Sequence, residues 1–375
     1  MVLMVMSLFF QMSKRAIGMM FTSTAFICWF EDCIGERSAD VGNKLSGLGR
    51  MLNDGVPVPP GFAVTRQAYE YFLENTGVGK QIKKVVELST LSGDTRTLAE
   101  SIREQILVTP LPSEIELAIA RAYEELAQKT GRTSPEVAVR SSATAEDMPD
   151  ASFAGLQDTF LAVVGVHQVL ANVQRCWASL FTERAVNYRL NMGYSFNEVS
   201  ISVGIQLMVA ADTAGVLFTI NPTTGNPFEM VIEANWGLGE SVVQGLVTPD
   251  QYLVHKKSLD LVREEIGTKH VQVVQGMNGG TTIKEVLPDY QTVPCLSSSE
   301  LKLLGDHGRS LETKYGIPLD IEWALSELRT DRDPCLHFLQ VRPITTHYMG
   351  SWHKDPQRDP TDHIIDLLLS KRFSI

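Results

Sequence analysis

The spacing of apolar residues changes along this chain. Through the first half they recur every three or four positions; through the second half they tend to alternate with polar ones. Helical spacing holds over residues 66–75, with Ala68, Tyr69, Phe72 and Leu73 on one stripe, and more strongly over 98–107 and 113–129. Pro112-Ser113-Glu114 supplies a helix start and Gly131 a stop. Residues 136–140 alternate as a strand and enter a loop of small and polar residues from Ser141 to Asp158. A strand over 159–164 and a helix over 167–191 follow. Strand patterns then occupy 199–209, 214–220, 228–235 and 251–255, and residues 276–280 read as a turn. Residues 299–315 place Leu301, Leu304 and Leu311 on one helical face, and strands over 319–325 and 336–342 close the series.

Near the N-terminus, residues 26–30 predict the first strand. The glycines of 41–50 predict a turn opening a helix, and the prolines of 56–61 a breaker that feeds a strand over 62–65. Helices early and strands late indicate two α+β subdomains, not a regular βαβ array. The expected division is an apolar leader over 1–29, subdomains over 30–198 and 199–346, and a tail over 347–375.

Residues 1–30 lack Asp and Glu, and Lys14 and Arg15 separate two apolar runs. The second run, 16–30, is shorter than the ~20 residues that span a bilayer. It resembles a signal or transit leader. Scattered cysteines weigh against export and scarce arginine against a transit peptide, so an uncertain translation start is the favoured reading. That reading gives no membrane span and a cytoplasmic protein, with a mitochondrial or secretory leader left open.

The 375 residues carry 33 basic and 44 acidic side chains, a formal net charge of −11. That balance argues against non-specific nucleic-acid binding, which needs basic surface. A nucleotide site is still compatible, because a few local cations suffice for one triphosphate. The five cysteines, 28, 33, 176, 295 and 335, form no Cys-x-x-Cys pair and no zinc-like spacing. They read as free thiols in a reducing compartment.

Candidate chemistry begins with Asp320-Ile321-Glu322-Trp323-Ala324, where alternation puts Asp320 and Glu322 on one strand face. Phe338-Leu339-Gln340-Val341-Arg342 likewise groups Gln340 with Arg342. An antiparallel hairpin of the two would converge two carboxylates, an amide and a guanidinium. Hard oxygen ligands suit Mg²⁺ with substrate phosphates, and a guanidinium suits a phosphate. The alternative is an amphipathic hairpin with a surface ion pair.

A second candidate is the strand end Val137-Ala138-Val139-Arg140 followed by Ser141 and Ser142, where small residues let backbone N–H groups approach an anion. The other reading of that stretch is a flexible surface loop. Asn235-Trp236-Gly237-Leu238-Gly239-Glu240 has Val242 in place of a third glycine, so it fails the dinucleotide fingerprint, and no G-x-x-x-x-G-K-[ST] occurs.

Five segments together are specific: VGNKLSGL, AVRSSATAEDMPDASFAGLQDTF, AGVLFTINPTTGN, VIEANWGLGESVVQGLVTPDQY, and DIEWA with LQVRPITT. In this order they resemble the N-terminal nucleotide-binding region of the phosphoenolpyruvate synthase (pyruvate, water dikinase) and pyruvate phosphate dikinase family. The rifampicin phosphotransferases share that region. The resemblance covers roughly residues 30–346. It implies an α+β ATP-grasp fold, whose two subdomains clamp Mg·ATP, and a dikinase-type phosphotransferase activity.

By this resemblance Lys44, Arg140 and Arg342 are expected on the phosphates, as the catalytic cations. Gly155, in Phe153-Ala154-Gly155, belongs to the segment expected to fold over the triphosphate. Gln206 is expected beside the adenine and Glu233 near the nucleoside. Glu322 and Gln340 match the Mg²⁺ ligands, and Asp320 a supporting acid. The implied partners are a swivelling phosphohistidine domain and an acceptor-binding domain, supplied in trans or missing from a fragment. None of the eight histidines lies in the family's T-S-H-type motif. Asn43 stands where the family usually has a second glycine before its lysine. Three readings stay open: the ATP-binding part of a phosphoenolpyruvate-synthase-like enzyme, a rifampicin-type phosphotransferase fragment, and a non-catalytic nucleotide-binding remnant.

Overall fold

The computed structural model describes residues 25–89, 94–143, 147–148, 151–152, 158–192, 199–276, 279–326 and 335–344. Its strands are β1 (Ile27–Trp29), β2 (Gly61–Val64), β3 (Val137–Ala143), the two-residue pair β4 (Asp147–Met148) and β5 (Ala151–Ser152), β6 (Thr159–Val163) and β7 (Ile201–Leu207). The second half supplies β8 (Ala211–Phe218), β9 (Glu229–Trp236), β10 (Asp250–His255), β11 (Leu261–Glu265), β12 (Val271–Gln275), β13 (Thr281–Glu285), β14 (Leu319–Ser326) and β15 (Cys335–Pro343).

Two antiparallel sheets carry the architecture. The first has the order β1-β2-β7-β3-β6 and the second β11-β10-β9-β8-β14-β15. Alternation in β3 explains how the first sheet is used. Val137 and Val139 enter a core with Val203 and Ile205, under the helices Arg66–Asn75, Thr95–Val108, Ser113–Thr130 and Val166–Ser179. Trp177 lies wholly inside this core against Tyr69 and Phe72. Ala138 and Arg140 therefore face the other way.

In the second sheet Leu217, Ile321, Trp323 and Phe338 form a core with Leu301, Leu304 and Leu311 of the helix Ser298–Tyr315. That helix starts on a capping box, Ser297 with Glu300, and ends at Gly316 with φ 71°.

The helix Ser38–Asn53 touches both sheets. Leu45 lies on Gly204 of β7, where a Cβ would come within 2.5 Å of Leu45 Cδ2. Two residues on, a Cβ at Gly47 would stand 3.3 Å from Val341 Cγ1 of β15. Gly42 breaks this helix with φ 72° and ψ 171°, a backbone conformation open to glycine alone. The Ser142 and Ser202 hydroxyls both donate to the carbonyl of Val41, just ahead of the break. Ser142 thus anchors a turn instead of presenting its hydroxyl to an anion. Asn43 is not among the residues of positive φ, so it accepts the place of the second glycine without left-handed strain.

Several expectations need correction. Strand β7 pairs with β2 and β3, so the first sheet extends to Leu207, beyond the division expected at 198/199. Alternation identifies a strand but not its sheet. The helix expected over 167–191 is two helices, Val166–Ser179 and Glu183–Met192, the second opened by Thr182, whose Oγ1 accepts from Ala185 N. The expected loop from Ser141 is strand as far as Ala143. Strands β11, β12 and β13 and the helix Val78–Ser89 went unread; every residue of β11 and β13 is exposed, so no apolar alternation marks those two. Among the described residues no helix is long and apolar enough to cross a membrane.

Candidate functional site

Polar side chains from four strands meet where the sheets face each other. Arg140 leaves β3 and reaches the second sheet. Its Nη2 donates to Glu322 Oε2 at 2.6 Å and to Gln340 Oε1 at 3.2 Å, and its Nη1 to the Leu339 carbonyl at 3.1 Å. Nη1 also donates to Gln206 Oε1 of β7 at 3.4 Å. Gln340 Nε2 in turn donates to Glu322 Oε1 at 3.1 Å.

The β14–β15 register sets this up. Asp320 lies opposite Arg342 and Glu322 opposite Gln340, and directly opposed residues of antiparallel strands share a face. The hairpin inferred from alternation is therefore present, with its four polar groups together. Beyond Glu322 the register slips, pairing Trp323 with Phe338 and skipping Leu339. This bulge accompanies the Leu339 carbonyl that Arg140 engages.

Lys44 sits just past the Gly42 break, near the start of the regular helix, where the backbone dipole favours anions. Its Nζ lies 3.4 Å from the Ser141 carbonyl. Lys44, Arg140, Gln206, Glu322, Gln340 and Arg342 line one cavity of about 310 Å³. Part of its wall is apolar: Ala138, Met208 and Leu238 pack together there. Charged groups together with an apolar patch suit a ligand with an anionic and an apolar part. Three donors buried in these walls, Gln206 Nε2, Trp323 Nε1 and Arg342 Nε, lack a protein partner among the described residues, as does the acceptor Glu240 Oε2.

Electrostatics separates the two acids of β14. Burial opposes ionisation of Glu322, but the Arg140 guanidinium, by charge and hydrogen bond, with Arg342 and Lys44 behind it, holds its carboxyl below the usual carboxylate range. Asp320 is pushed up to about 6 by burial and by the Glu322 charge; Arg342 opposes this and Glu233 adds to it. Among the described residues no group of three or more His, Cys, Asp or Glu side chains converges on a point. Glu322 and Gln340 offer two hard oxygen donors, a set that fits a cation completed by ligand oxygens and water. Arg140 now lies against both.

Glu233 and Asp320 are not in the cavity wall. They lie on its sheet face, where a row across four strands runs Gln340, Glu322, Val216 and Glu233. Glu233 accepts from Gln251 Nε2 at 3.1 Å. Gly155 lies outside the described residues. Sequence reasoning passed over Leu238, Gly239 and Glu240, which enter the wall from a turn held by Leu238 N on the Val273 carbonyl at 2.8 Å. Their signal was present in the glycine pair Gly237 and Gly239, which reads as a turn without showing what it borders.

The frame is thus α+β, with two antiparallel sheets and a cation-lined cavity between them. Residues 38–363 match the family model described as pyruvate phosphate dikinase, AMP/ATP-binding domain, and the chain belongs to that family. It is similar to the probable phosphoenolpyruvate synthase of Methanocaldococcus jannaschii, at 41% identity over 340 residues, covering 90% of this chain and 28% of that protein. The phosphoenolpyruvate synthase of Pyrococcus furiosus is 40% identical over 361 residues, covering 86% of this chain and 44% of that protein. That of Synechocystis sp. is 38% identical, covering 91% and 44%. The chain thus spans less than half the length of these relatives.

Proposed function

We propose that this chain is the Mg·ATP-binding part of a phosphoenolpyruvate-synthase-like phosphotransferase with an ATP-grasp fold. The observation that carries the reading is the Arg140 bridge to Glu322 and Gln340 in the same cavity as Lys44 and Arg342. The names of the relatives favour this reading over a rifampicin-type acceptor. The complete cation and oxygen set favours it over a remnant that has lost binding.

In this reading the base lies on the apolar patch, with Gln206 Nε2 donating to it. Lys44, Arg140 and Arg342 hold the phosphates in line and offset the charge that gathers on the transferred group. Glu322 and Gln340 would hold Mg²⁺, which neutralises phosphate charge when bound. The phosphoryl group passes to a histidine on a domain beyond this chain and from there to a small acceptor. Closure of the two sheets keeps water from the reacting phosphorus.

Calorimetric titration with ATP, with and without Mg²⁺, tests the proposal. Saturable binding that strengthens with the metal is expected. A cooperatively folded sample that takes up no ATP in either condition would overturn it.

A further inference from the structure

We propose that Cys28 and Cys33 form an oxidisable dithiol, a site of reversible disulfide formation that acts on the helix carrying Lys44. The two sulfurs face each other at 3.3 Å, with Cys33 Sγ donating to Cys28 Sγ. Both residues are fully buried. Cys28 belongs to β1, and Cys33 follows a one-turn helix, Phe30–Asp32, its N–H donating to the Phe30 carbonyl. Four intervening residues suffice to fold one sulfur onto the other. Both sulfurs also reach the Trp29 carbonyl, Cys33 Sγ at 3.2 Å and Cys28 Sγ at 3.6 Å, as the other buried thiols reach oxygen: Cys176 faces the Val139 and Asp158 carbonyls, and Cys295 donates to Asp250 Oδ2.

The shared proton divides the roles. Hydrogen bonding from Cys33 lowers the Cys28 thiol, against burial, and Arg37 assists. The same contact, together with burial, raises Cys33. In the proposed reaction Cys28, which accepts the hydrogen bond from Cys33 Sγ, is the nucleophile and Cys33 the resolving thiol.

The oxidant must be small, because both sulfurs are enclosed; hydrogen peroxide qualifies. The Cys28 thiolate attacks one peroxide oxygen, the O–O bond breaks, and a sulfenic acid forms as hydroxide leaves and takes up a proton to give water. Cys33 sulfur then displaces the sulfenic oxygen as a second water, its own proton going with it. Two thiols are oxidised, one peroxide is reduced to two waters, and a dithiol reductant reverses the bond.

The bond shortens the sulfur separation from 3.3 Å to roughly 2.05 Å. The segment drawn by that closure lies against the helix Ser38–Asn53. A Cβ at Gly49 would come within 2.6 Å of the Phe30 carbonyl and 3.1 Å of the Cys33 carbonyl, so there is no slack between them. Asn53 Nδ2, on the same helix, donates to the Glu31 carbonyl at 2.9 Å. Displacing residues 28–33 therefore shifts the helix whose other end holds Lys44.

The test treats the purified chain with hydrogen peroxide, alkylates free thiols after denaturation, and maps the peptides by mass. A Cys28–Cys33 cross-link reversed by dithiothreitol is expected. Amide exchange within residues 38–53 should rise on oxidation, a readout independent of any nucleotide. The effect on ATP rests on the proposed function: affinity should fall about 10-fold, a change of roughly 1.4 kcal/mol, and return on reduction. Cys28→Ser and Cys33→Ala should bind as the reduced protein does and lose the response. Recovery of both thiols after peroxide, or sulfinic acid without a cross-link, overturns the site. A cross-link with unchanged exchange overturns the coupling. Reduced protein that ignores ATP while exchange still responds counts against the nucleotide reading alone.

Discussion

Arg140 and Glu322 are 182 residues apart in sequence and 2.6 Å apart in space. This contact ties β3 of one sheet to β14 of the other, and both side chains are largely screened from water, at 17% and 22% exposure. Removing the cation alone leaves Glu322 without its main partner in a low-dielectric gap. Arg140→Ala is therefore expected to lower stability by about 1–3 kcal/mol. Glu322→Gln in the same chain should recover part of that loss. Denaturant unfolding of the four proteins of this cycle checks it, and strict additivity would show that the pair does not interact.

Lys44 and Arg342 both line the cavity, and neither is part of a hydrophobic core. Lys44→Ala or Arg342→Ala should weaken Mg·ATP binding by about 10- to 150-fold, the equivalent of ~1.5–3 kcal/mol for a charge-assisted hydrogen bond. The fold should persist, as read by circular dichroism. Unchanged affinity in both proteins would remove these residues from the site.

The raised Asp320 gives stability a defined pH dependence. Folding lifts its pKa to about 6, so the native state holds this proton more tightly than the unfolded chain does. The contribution is complete below the ordinary carboxylate pKa of roughly 4 and is lost as pH rises through about 6. Asp320→Asn removes the titration. Its unfolding free energy should exceed that of the parent by about 2 kcal/mol at pH 8 and match it near pH 4. Parallel stability curves for the two proteins over that range would contradict the assignment.

At the helix break the two neighbours should behave differently. Gly42 has φ 72° and ψ 171°, and Asn43 does not share the positive φ. Gly42→Ala should destabilise by about 1–3 kcal/mol through backbone strain and weaken ATP by displacing Lys44. Asn43→Gly should leave ATP affinity within about twofold, since an exposed residue in ordinary backbone gains nothing there. A large gain in affinity from Asn43→Gly would mean that the asparagine side chain obstructs the site.

Legibility in the sequence followed local periodicity. Alternation in 319–325 and 336–342 suffices to place Asp320, Glu322, Gln340 and Arg342 on one face, because strand geometry leaves no other choice. The helices Arg66–Asn75, Thr95–Val108, Ser113–Thr130 and Ser298–Tyr315 were readable for the same reason. What periodicity does not carry is partnership between distant segments. Nothing near Arg140 announces Glu322, and nothing in 201–207 announces that it lies between β2 and β3. The cavity wall at Leu238 and Glu240 was hidden similarly, since a turn's residues acquire a role only from what packs opposite them.

The place of β7 also bears on how the chain folds during synthesis. Gly61 pairs with Gln206, and Ala143 with Ile201, so the middle strand of the first sheet is the last of its members to be made. Until residue 207 has left the ribosome, β2 and β3 both lack the partner between them and expose unpaired edges. The early helices can form as they emerge, but the sheet beneath them closes late, across a long loop. A nascent chain halted before that strand is an incomplete sheet open to wrong pairing, and chaperone contact would be concentrated in that interval.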